Sequence, residues 1–158
     1  MAGPAPQPSI SLVNTQRRVR VPLPALRQLA PEAIPLCLKA SGPEPAALPK
    51  LPEVVVAIVS DAVIARLHRE FGGVPGPTDV ITFQHGEIVI SAETAARQAR
   101  ANRESLQREI LRYVVHGLLH LNGHQDGTAA TRRKMWTAQE RIVERLAPRD
   151  LRAPRRQR

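Results

Sequence analysis

The chain has 158 residues, 42% of them apolar, which suits one domain with a buried core and is too short for two full domains. Only four aromatics are present, Phe71, Phe83, Tyr113 and Trp136, so the core must be built from Val, Ile, Leu and Ala, and a nucleic-acid surface made of several stacking rings is a poor fit. Twenty-three Lys and Arg against 14 Asp and Glu give +9, but residues 149–158 hold five arginines and one Asp, so +4 of it falls in a basic tail.

Residues 1–8 read as a flexible N-terminus, 9–147 as the folded domain and 148–158 as the basic, disordered tail. Eleven of the fifteen prolines lie in the first 52 residues, which excludes a long uninterrupted helix there. Ile10 to Val13 reads as a short strand. Leu23 to Leu38 reads as an apolar helix that Pro31 and Pro35 would kink or split, and Ser41 to Pro52 as a Pro-rich loop. Cys37, the one cysteine, lies in the apolar segment Ala33 to Leu38 and is expected to be buried; it allows no internal disulfide.

Val54 to Val59 is a β-branched run that suits a strand buried on both faces. Ser60 or Asp61 then caps a helix to about Phe71, with Ile64 and Leu67 inward. Asp79 to Phe83 and Glu87 to Ile90 read as a hairpin turning at Gln84-His85-Gly86. Ser91 caps a helix to about Asn102. Ser105 begins another, where Leu106, Ile110, Val114, Leu118 and Leu121 recur at helical spacing and Gly123 stops it. Thr128 starts the last, with Met135, Ala138, Ile142 and Leu146 as its buried stripe. Strands and helices are mixed, so the class is α+β. No apolar run approaches the ~20 residues of a membrane span, and the first residues lack the apolar stretch of a secretory signal. A cytoplasmic protein with no membrane partner is expected.

The chemistry lies in His116-Gly-Leu-Leu-His120-Leu-Asn-Gly123-His124-Gln-Asp126. Histidines at i and i+4 on a helix can both reach one ion at ~2.0–2.1 Å. Gly123 lets the chain end the helix and turn back, so that either His124 or Asp126 completes a three-ligand site with an open fourth position. An apolar helix is a costly place for unpaired imidazoles, which favours a metal. Zinc is preferred for imidazole plus carboxylate, with nickel and manganese also compatible. The spacing matches the extended zinc-protease pattern H-E-x-x-H-x-x-G-x-x-[H/D], whose register selects Asp126, except that position 117 is Gly where the protease has its general base. A peptidase is therefore disfavoured.

Those residues, together with Pro77-Thr-Asp-Val-Ile-Thr-Phe83 and Gly86-Glu-Ile-Val-Ile90, resemble the three signature blocks of the YbeY family of rRNA maturation factors, in the family's order, over roughly Ile10 to Leu146. The resemblance implies a zincin-like α+β single domain, 9–147, with a small four-stranded mixed sheet and about five helices, and one zinc ion per chain held by His116, His120 and the residue at Asp126. It implies a zinc-dependent endoribonuclease in which His116 and His120 act through a metal-bound water. The work would be small-subunit rRNA 3′-end processing and ribosome quality control, with rRNA precursor and the ribosomal small subunit as partners and no DNA. The alternative is a non-catalytic, zinc-stabilised assembly factor that binds rRNA or ribosomal proteins.

Two departures stand out. The third ligand is His in most members, and Asp126 leaves a zinc site at formal +1 where three imidazoles leave +2. The family arginine before P-T-D is replaced by Gly72, so Arg66, Arg69 or Arg97 would have to substitute in holding phosphate. Thr78 and Asp79 suit either a turn cap or the cleft lining. His85 reads as an exposed turn residue, His68 as a helix-surface one and Glu109 as a surface ion-pair partner. Arg97, Arg100, Arg103 and Arg108 read as a solvated helical face.

Overall fold

A computed structural model describes residues 3–149. The fold is α+β. Strands β1 (Ser9–Asn14), β2 (Glu53–Val59), β3 (Val80–Phe83) and β4 (Glu87–Ser91) form one mixed sheet in the order β1-β2-β4-β3. β1 pairs with β2 and β2 with β4 in parallel, while β3 runs antiparallel to β4. Parallel neighbours need long crossovers. Helix α1 (Leu23–Leu38) and the Pro-rich segment make the first; α2 (Asp61–Gly72) and β3 make the second. Helices α3 (Ala92–Asn102), α4 (Leu106–Leu121) and α5 (Ala129–Leu146) follow. Among the described residues no helix is long and apolar enough to cross a membrane.

Alternation along the strands sorts the core into two. Val54, Val56, Ile58, Ile88 and Ile90 join Leu12 and the apolar faces of α1, α4 and α5 in the main cluster, whereas Val59 and Val89 pack with Ile64 of α2 on the other side. The Val54 to Val59 run is thus fully buried on one face only. Val55 and Ala57 remain half-buried, because the face they point to is covered more thinly, beneath α2. Ser60, Ser91, Ser105 and Thr128 each accept the N3 backbone N–H of the helix they open, as capping chemistry requires.

Helix α1 is not split by its prolines. It runs unbroken because Leu26, Ala30, Ala33, Ile34 and Cys37 are all buried on its inner side, while Pro31 lies exposed and Pro35 half-exposed on the outer one. The carbonyl that Pro31 cannot serve belongs to Arg27, an exposed residue. Cys37 is buried as expected, and burial pushes its thiol far above the ordinary range.

Helix α4 is central: twelve of its sixteen residues are buried. A Cβ on Gly117 would meet Ile88 Cδ1 at 2.6 Å, so the helix backbone can lie against β4 only with glycine there. The helix ends in a Schellman motif: Gly123 has φ +92°, its N–H reaches His120 O at 3.1 Å, and His124 N–H reaches Leu119 O at 3.0 Å. The Pro-rich segment, which contains one 3-10 turn at Leu48–Lys50, straps this turn down. Gly42, Glu44 and Ala47 donate their N–H groups to the carbonyls of Asn122, Gly123 and Leu121 at 2.8–3.1 Å. A Cβ on Gly123 would collide with the Glu44 carbonyl, and one on Gly42 with Gly123. Asn122, 1% exposed, returns a bond from its side-chain amide to Cys37 O at 2.8 Å.

Arg97, Arg100 and Arg103 face solvent, but Arg108 does not. It is buried between α4 and α5, where it pairs with Glu144 at 2.8 Å and bonds the Ala147 carbonyl. His68 is half-buried, its Nδ1 bonded to Gly76 O at 3.1 Å, rather than a free surface residue. His85 is exposed. Residues 150–158, most of the expected tail, lie outside the described residues.

Candidate metal centre

Helix α4 sets His116 and His120 one turn apart, with ring centroids 4.6 Å apart and planes near perpendicular. The Schellman turn then brings Asp126 back over them. Asp126 Oδ2 lies 3.4 Å from His120 Nε2 and 3.9 Å from His116 Nε2, and the two Nε2 atoms are 3.1 Å apart. Among the described residues, these three form the cluster of potential metal ligands.

Their partners fix which nitrogen carries the proton. His124 O can only accept, so His120 Nδ1–H donates to it at 3.0 Å. His116 Nδ1 faces Gln139 Oε1 at 2.8 Å, and the Gln139 amide is oriented by donating its own Nε2–H to Glu140 Oε2 at 3.1 Å. Both Nε2 atoms are therefore unprotonated in the neutral rings and turn lone pairs toward each other. Two lone pairs at 3.1 Å repel unless a cation lies between them. A cation bound at ~2.0–2.1 Å to each nitrogen spans that gap, and the nearby carboxylate supplies the negative ligand. Burial first, then the neighbouring His120, pushes the His116 pKa below its ordinary value, which holds the ring in its ligating form. The residues present fit a metal ion.

His124, the other candidate third ligand, is placed elsewhere. It is 7% exposed, and its Nε2 bonds Ala40 O at 2.7 Å. Its contribution is the backbone carbonyl that orients His120. Glu109 is not the surface ion-pair partner expected: it is 3% exposed and pairs with Arg112. Arg112 also binds Glu104 at 2.7 Å and Glu140 through Nε and Nη2 at 2.9–3.2 Å. A continuous chain of bonds thus runs from Arg112 through Glu140 and Gln139 to His116.

Gln139 lies outside the sequence motifs that point to the site. The signal was present: a glutamine stands four residues after Met135 and three before Ile142, on the buried stripe of α5, where a polar side chain needs a partner. Thr78 and Asp79 line the cleft over the ligands, a cavity of about 300 Å³. None of Arg66, Arg69 or Arg97 lines it or the larger cavity of about 660 Å³ beside it; Arg97 instead pairs with Asp61 at 2.8 Å. The arginines that do line the larger cavity include Arg132 and Arg133 of α5. Gly117 leaves no room for a protease glutamate, because its Cβ would already clash with Ile88.

The model of a family described as endoribonuclease YbeY matches residues 11–147. An endoribonuclease YbeY of Pelotomaculum thermopropionicum is 37% identical over 148 residues, covering 84% of this chain and 93% of the relative. The Micrococcus luteus protein of that name is 34% identical over 118 residues, 65% of this chain and 75% of the relative. The solution structure of TM1509 from Thermotoga maritima superposes with a TM-score of 0.59 at 26% identity, covering 87% of this chain and 88% of that one.

Proposed function

Because the chain belongs to the YbeY endoribonuclease family, we propose that it is a zinc-dependent endoribonuclease that matures rRNA. Its substrate is the precursor of small-subunit rRNA, cut near the 3′ end within or beside the ribosomal small subunit, in the cytoplasm. The observation that carries the metal dependence is the pair of Nε2 atoms 3.1 Å apart beside Asp126, with both Nδ1 atoms engaged by carbonyl oxygens. His116, His120 and Asp126 would hold the ion, which when bound supplies Lewis-acid chemistry: activation of water and polarisation of a phosphodiester.

The chain's own residues do the rest. Gln139 and the His124 carbonyl keep the imidazoles in the tautomer that leaves Nε2 free. Asp79 Oδ1 is held by the Val80 N–H at 2.8 Å, which fixes the carboxylate at the cleft wall. A carboxylate ligand lowers the positive charge at the centre, so phosphate must be drawn in by groups around it. Arg132 and Arg133, exposed on the adjoining cavity, are the cations that would fill that role.

The test is cleavage of small-subunit rRNA precursor by purified protein, with chelator and after zinc is restored. Cleavage should require zinc and vanish in His116→Ala, the control for contaminating nuclease. Metal analysis of Asp126→Ala beside His124→Ala tests the ligand set: only the Asp126 change should release zinc. A chelated protein that melts at nearly its original temperature fits a catalytic ion; loss of the fold on chelation with no cleavage in any metal would favour a structural one.

A further inference from the structure

The metal cleft lies beside the larger cavity, and the two share Asp79, Val80, His116 and Asp126 among their lining residues. Their characters differ. The cleft is lined mainly by polar groups, whereas the walls of the larger space are largely apolar, and its volume of about 660 Å³ is that of a small-ligand pocket. Trp136 of α5 lines it and is 58% exposed, an unusual state for an indole unless something covers it. Arg132 and Arg133 line the same cavity from four and three residues earlier, on the face of α5 that carries Trp136. Among the described residues neither arginine enters an ion pair. Three carboxylates of that cavity are different: Glu104, Glu109 and Glu140 are all tied to Arg112. Its other two carboxylates, Asp79 and Asp126, stand on the wall shared with the metal cleft, so Arg132 and Arg133 are the cations that face the rest of the cavity without a partner carboxylate.

We infer that this cavity is a nucleobase subsite, in which Trp136 stacks on a base flanking the phosphate at the metal cleft while Arg132 and Arg133 hold the backbone phosphate next to it. The inference rests on the endoribonuclease reading, since a strand cut over His116 and His120 must place a neighbouring nucleoside beyond their shared wall. An aromatic face with cationic neighbours is the pairing that single-stranded nucleic acid uses, because every base offers a π-face whatever the sequence. The scarcity of aromatics thus excludes an extended stacking surface; Phe71, also exposed, packs edge-on against Phe83 away from this cavity, and Trp136 is the exposed ring that lines it.

Trp136 is the only tryptophan in the chain, so every change in indole emission reports on this position. The experiment titrates the full chain, in chelator to keep the RNA intact, with a fluorescein-labelled uridine hexaribonucleotide read by anisotropy and an unlabelled one read by tryptophan emission. Binding should quench Trp136 saturably. Trp136→Leu should weaken binding roughly 5- to 150-fold with an unchanged melting temperature, and Trp136→Phe should restore most of the affinity. Arg132→Ala with Arg133→Ala should reduce the salt dependence of binding and keep the quenching at saturation. Binding without quenching, equal affinity of Trp136→Leu, or no binding at all would overturn the subsite. Parallel cleavage assays with zinc separate the two readings. Cleavage without quenching sinks the subsite alone; quenching without cleavage in any metal sinks the endoribonuclease reading and keeps the base site.

Discussion

Gln139 shows how one side chain on α5 orients a candidate ligand on α4. Its carbonyl oxygen receives the His116 Nδ1–H only because Glu140 takes its N–H. Replacing it by Leu removes the acceptor and lets the imidazole rotate or change tautomer. Gln139→Leu is expected to weaken zinc binding about 10- to 100-fold, measured by competition with a chromogenic chelator. His116, His120 and Asp126 were legible in the sequence because a helical repeat and one glycine turn place all three within eleven residues. Gln139 was not, because it arrives 23 residues later on another helix. Arg108 was misread for a similar reason: its position on a helical wheel says nothing of Glu144 and the Ala147 carbonyl waiting on α5.

Among elements, α4 carries the most constraint, since it meets β4 at Gly117 and α5 through a buried ion cluster. Gly117→Ala forces a methyl into Ile88 and should cost about 1–3 kcal/mol, read as a lower urea midpoint. The ion cluster sets an acid limit. Burial alone would raise Glu104, but the bonds and charge of Arg112, with Arg149 and Arg108, hold it below the usual carboxylate range. A carboxylate depressed in the folded state stabilises above its unfolded pKa, about 4.3, and that contribution is lost as pH falls through the folded value. Glu109 is displaced the other way, raised by burial, and its contribution is lost as pH rises through its folded value. Glu104→Gln should therefore be less stable than the parent at pH 7 and lose less on acidification below about pH 4, followed by urea midpoints across pH. Strand and helix positions were legible from caps and periodicity. The strap over the α4 turn was not, because its bonds join backbone groups of distant segments and leave no side-chain pattern.

At the scale of the molecule, the +9 charge has two parts with different uses. Residues 150–158 add four arginines and one Asp to the sequence, and Arg132 and Arg133 line the cavity beside the cleft. RNA affinity should fall with salt along a slope of about −0.7 per phosphate neutralised on a single strand. A chain ending at Arg149 should show a shallower slope while the Trp136 quenching by the hexanucleotide stays in place, measured over a salt series. The strand order β1-β2-β4-β3 was likewise beyond local reading. The hairpin of β3 and β4 is announced by Gly86, which has φ +104°, but nothing in either strand says that β4 inserts beside β2.

The strap described over the end of α4 also governs when the centre can come into being. His124 and Ala40, bonded across it, are 84 residues apart in the chain, and Asn122 and Cys37 are 85 apart. Contacts so remote must wait for loop closure, which non-local pairings pay for before they are rewarded. An isolated α4 would offer two imidazoles, but the orientation of His120 and the return of Asp126 depend on a turn that the N-terminal third of the chain clamps. The three candidate ligands thus form a site only once the Pro-rich strap has docked, and a metal bound there would report that the N-terminal third and the end of α4 have met.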